Sequence, residues 1–85
     1  MAKSLTMVEK IARARKLIQQ ARDFPIPAEG GKHDFSYIAG VKDLLRQARD
    51  LVKLIPLQPS ATPEIKEEVQ RVLAEADQAN RDILF

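Results

Sequence analysis

The chain has 85 residues, 45% of them hydrophobic and 31% charged, with a net charge of +2 and no Cys. That balance belongs to one folded domain near the size at which a single core only just holds, and it excludes a disordered chain, a disulfide framework and any thiolate chemistry. No stretch approaches the roughly 18 uninterrupted apolar residues of a membrane span, and MAKSLTMVEKIARARK carries no signal-peptide pattern, so a soluble cytoplasmic protein is expected.

The first element opens at Thr6 and Glu9, which match the S/T-x-x-E capping box that satisfies two otherwise unpaired backbone N–H groups. A helix is predicted over residues 7–23. Met7, Ile11, Ala14, Ile18 and Ala21 step by alternating fours and threes, with Val8, Leu17 and Phe24 widening the stripe. Its opposite side is basic. Lys3, Lys10, Arg13 and Lys16 form the candidate recognition patch, and Lys42, Arg46, Arg49 and Lys53 could extend it.

Residues 24–34, FPIPAEGGKHD, interrupt the period. Pro25 and Pro27 cannot continue a helix and hold a short stiff segment, and Gly30-Gly31 permits a reversal. Phe24, Ile26, Phe35 and Tyr37 cluster about this connection and are expected to plug one end of a bundle. His33 invites a catalytic reading with Ser36 and with Asp34 or Glu29, but no glycine elbow or oxyanion signature accompanies it. Glu29-Gly30-Gly31-Lys32 does not meet the P-loop spacing, and three or four convergent metal ligands are not at hand. No cofactor or metal is expected, and the chain reads as a non-enzyme.

The central element, predicted over residues 35–55, is the most apolar long stretch. Ile38, Val41, Leu45, Ala48, Val52 and Ile55 form one stripe, and Tyr37, Leu44 and Leu51 form a second line beside it, so this helix can touch two neighbours at once. Asp34 or Ser36 should cap its start. Gly40 is either a liability of about 1 kcal/mol relative to Ala or a close helix contact. Pro56 closes the element, and Thr62-Pro63 opens the third helix, predicted over residues 63–84 with Ile65, Val69, Val72, Ala76, Ala79 and Ile83 on its apolar face. Glu64 and Glu68 lie off that stripe, where water keeps carboxylates ordinary.

Charge is polarised along the chain. Residues 1–24 sum to +4, residues 35–55 to +2 and residues 56–85 to −3, so the first and third helices should attract one another. A faint echo, KLIQQARDF at 16–24 and DLLRQARDL at 43–51 with ANRDIL at 79–84, reads as a shared solution to bundle packing.

The expected fold is therefore all-α, a single domain over residues 1–85 forming a three-helix up-down-up bundle, with completion by a second copy as the alternative. The surplus apolar residues Phe24, Ile26, Phe35, Leu54 and Phe85 make a candidate partner surface. They favour a small non-enzymatic protein-interaction or adaptor module that binds itself, as a homodimer, or another protein. A nucleic-acid accessory using the basic first helix is the alternative, and no membrane partner is expected.

Overall fold

A computed structural model describes residues 6–84, the Lys32 side chain excepted. Three α-helices, α1 (Met7–Arg22), α2 (Phe35–Val52) and α3 (Pro63–Leu84), all pack against one another, with 3₁₀ turns at Gly31–His33 and Ile55–Leu57. The described residues contain no strand.

Local chemistry sets most of the boundaries. The Thr6 hydroxyl accepts from the Glu9 N–H at 3.1 Å while the Glu9 carboxylate accepts from the Thr6 N–H at 3.2 Å, completing the capping box. Gly30 (φ 80) and Gly31 (φ 53) take left-handed conformations that turn the chain into α2. There the Asp34 carboxylate, not Ser36, accepts from the Tyr37 N–H at 3.0 Å. The Thr62 hydroxyl accepts from the Ile65 N–H at 3.2 Å at the start of α3.

Two boundaries differ from expectation, α1 by the single residue that ends it at Arg22, and α2 by more. The central helix stops at Val52, not at Ile55, and the chain passes through Lys53 and Leu54 into the 3₁₀ turn. Pro56 has no N–H to offer the Val52 carbonyl, and its ring would collide with that group, so the helix ends before it. The tighter turn still delivers Ile55 to the core, where it is 1% exposed.

The three apolar stripes meet as expected, with Leu45, Val41, Val52, Val69 and Val72 among the fully buried side chains. Small residues let the helix backbones approach: Ala14, Ala21, Ala48, Ala76 and Ala79 are also fully buried. The weak internal echo falls at these contacts. In each copy the Ala is buried, and the Arg that follows Ala21 and Ala48 reaches an acid of α3: Arg22 to Asp82 at 3.2 Å and Arg49 to Asp77 at 2.9 Å.

Direction and register follow from these contacts. Arg15 bonds Glu68 at 2.8 Å and Glu75 at 3.5 Å, and Arg22 meets Asp82 further along, so α1 and α3 run in the same direction. The Phe24 ring lies on Gly40 and beside Tyr37 near the start of α2, while Arg13 and Leu17 share a groove with Gln47, Asp50 and Leu51 near its end, so α2 runs antiparallel to α1. The order is up-down-up. The starts of α1 and α3 and the end of α2 share one end of the bundle.

Candidate interaction surfaces

The aromatic plug at the opposite end is smaller than expected. Phe24 and Tyr37 form it, their rings 5.8 Å apart and inclined at 62°, an edge-on arrangement that suits the ring quadrupoles. Phe24 is half-buried rather than free for a partner, because glycine at position 40 opens a seat for its ring. Ile26 and Phe35, expected to join the plug, are exposed, Phe35 to 88%. Phe35 is the first residue of α2 and lies a half-turn away from Tyr37 and the core, so the same helix that buries Tyr37 turns Phe35 outward. Phe85 lies outside the described residues.

Leu54 is exposed, as the sequence suggested, but it stands at the other end from Ile26 and Phe35, so the five residues do not make one surface. Leu57 and Val8 are exposed at the Leu54 end. There Val8, Ile11, Ala12 and Ile65 line an apolar groove of about 450 Å³ between α1 and α3, edged by Arg15 and Glu68. Val8 and Ile65 read in the sequence as part of the buried stripes. Periodicity carries no sign of where those stripes run past their neighbour, although Leu54, outside both stripes of the central helix, did mark surplus apolar surface at this end.

Of the basic residues of α1, Arg13 and Lys16 share one surface. Lys3 lies outside the described residues. Lys10 is half-buried, and Arg13 both edges the α1–α2 groove and lines, with Glu9, Ala12 and Lys16, a shallow depression on α1. The proposed extension along α2 is largely paired, Arg46 to Asp43 at 2.7 Å, Arg49 to Asp77, and Lys53 to Asp50 at 3.0 Å. Internal ion pairs therefore take up much of the charge polarity.

These pairs leave a mark on the acids. Hydrogen bonds from Arg15 and then Arg71 hold Glu68 below its ordinary value. The Gln78 amide, followed by Arg22, does the same for Asp82, and the Gln47 amide, followed by Arg46, does so for Asp43. His33, Glu29 and Ser36 are all exposed at the Gly30 turn. Among the described residues no group of three or more His, Asp or Glu is placed to hold a metal ion, and no helix is long and apolar enough to cross a membrane. No protein-family model, no curated protein and no solved structure matches this chain.

Proposed function

We propose that this chain is a small non-enzymatic interaction module that pairs with its own copy through the end where α1 and α3 begin. The observation that carries the reading is that the exposed Val8, Leu54 and Leu57 stand at the same end of the bundle as the apolar α1–α3 groove, which Val8 and Ile65 line. Aliphatic side chains gathered beside a groove gain from being covered, and a twofold pairing would cover the same patch on both copies at once. A domain of this length also has a small core, for which association adds stability.

Light scattering over a concentration series tests it. A dimer at high micromolar concentration, abolished by Val8→Glu with helicity retained, is the expected result. A strict monomer throughout that range removes self-association.

A further inference from the structure

The seam between α1 and α3 changes character along its length. From the starts of the two helices, Val8, Ile11, Ala12 and Ile65 give way to Arg15 and Glu68. Further on, Glu75 bonds Arg15 and Asp82 bonds Arg22. In every one of these pairs the cation stands on α1 and the acid on α3. Their side chains are between 33% and 46% exposed, so their outer sides stay open to a further charge.

Because α1 and α3 run in the same direction, this groove can face its own copy about a twofold axis in two ways. An axis across the groove sets α1 on α1 and α3 on α3, in opposite directions. Centred on the charges, it opposes Arg15 to Arg15 and Glu68 to Glu68; moved toward the apolar end, it sets Val8 against Arg15 or leaves the charged part uncovered. An axis along the groove does neither. It lays α1 of one copy on α3 of the other, parallel and at the same level, so aliphatic meets aliphatic and cation meets acid.

We infer that two copies pair side by side and parallel, about a twofold axis along the α1–α3 groove, with Val8 of each against Ile65 of the other and Arg15 of each against Glu68 of the other. Burial of the aliphatic end supplies the attraction. The charges select the direction, because like charges set face to face reject the opposed arrangement. The parallel arrangement also keeps the exposed Leu54 and Leu57 of both copies at one end, where an opposed one would separate them. A partner carrying charge of one sign would match one side of the seam and be repelled by the other. The inference rests on the reading of the chain as self-pairing and adds its direction and register.

The chain has no Cys, so introduced cysteines report on the geometry directly. A mixture of Val8→Cys and Ile65→Cys copies should form a mixed disulfide on mild oxidation, since a bridge needs Cα atoms within about 7 Å, and a mixture of Val8→Cys and Arg15→Cys copies should not. Charge reversal tests the same contacts by light scattering. Arg15→Glu and Glu68→Arg, at partly exposed sites that keep helicity, should each weaken self-pairing about tenfold or more. Mixing the two variants should restore it, because one copy then presents acids at both positions and the other presents cations. A loss confined to each chain's own Arg15–Glu68 bond would persist in the mixture. A dimer in which Val8→Cys bridges Arg15→Cys, that tolerates both reversals, or that does not recover on mixing overturns this arrangement and leaves self-pairing standing. A strict monomer of the unaltered chain at high micromolar concentration overturns both.

Discussion

Phe24 follows the last turn of α1 and lays its ring where the side chain of residue 40 would otherwise be. A Cβ built on Gly40 would lie 2.5 Å from the tip of that ring and 3.0 Å from its edge, so no side chain fits while Phe24 stays in place. Replacing an exposed helical Gly by Ala gains about 1 kcal/mol, whereas overpacking costs about 1–3 kcal/mol. Gly40→Ala should therefore lower stability in urea unfolding by up to about 2 kcal/mol, with loss of the Phe24–Tyr37 contact in near-ultraviolet circular dichroism. The double variant Gly40→Ala with Phe24→Leu should recover part of the loss, because the smaller side chain vacates the seat. In the sequence Gly40 reads equally as a helix defect or as a contact. Only the path of the chain after Pro25 decides between them, since it brings a residue sixteen positions away onto the glycine.

At the scale of the element, α2 is the hub: it carries apolar residues toward both neighbours, and Tyr37, Val41, Leu45, Ala48 and Val52 are all buried. Leu45 is 1% exposed at its midpoint, so truncation leaves a hole that three helices would have to close together. Leu45→Ala should cost about 2–5 kcal/mol, a large share of the roughly 5–15 kcal/mol of a whole domain. Thermal melting at the wild-type temperature would show that the site is not central. The three helices and their caps were legible because a period near 3.6 and a Thr, Asp or Pro at the right offset are local signals. The early end of α2 was less so. Pro56 announces a stop, but the exact residue depends on how the turn swings Ile55 into the core.

For the whole molecule, the parallel placement of α1 and α3 ties a basic helix to an acidic one. Arg15 spans Glu68 and Glu75, and Arg22 reaches Asp82. Each exposed pair is worth little by itself, yet they act in one direction with pH. Glu68, Asp82 and Asp43 have lowered values in the folded chain, so the unfolded chain binds protons first as the solution is acidified. Their stabilisation is complete above the ordinary carboxylate range and is lost as pH falls through that range to the folded values. The melting temperature should accordingly be level near neutrality and decline below about pH 4.5, and Glu68→Gln should flatten part of that decline. Circular dichroism melts from neutral to strongly acid solution measure both.

The sequence alone determined the number of helices, where their caps fall, which residues enter the core, and that the charge of one end of the chain would be answered by the other, because all of these follow from period, local hydrogen bonding and composition. Tertiary structure decided which surplus apolar residues remain outside. Phe24 found a seat on a glycine of another helix, Phe35 was turned away from the core by its place in the first turn of α2, and Val8 overran the edge of its stripe. Whether a side chain is covered depends on what arrives beside it from elsewhere in the chain, and periodicity along one helix carries no record of that neighbour.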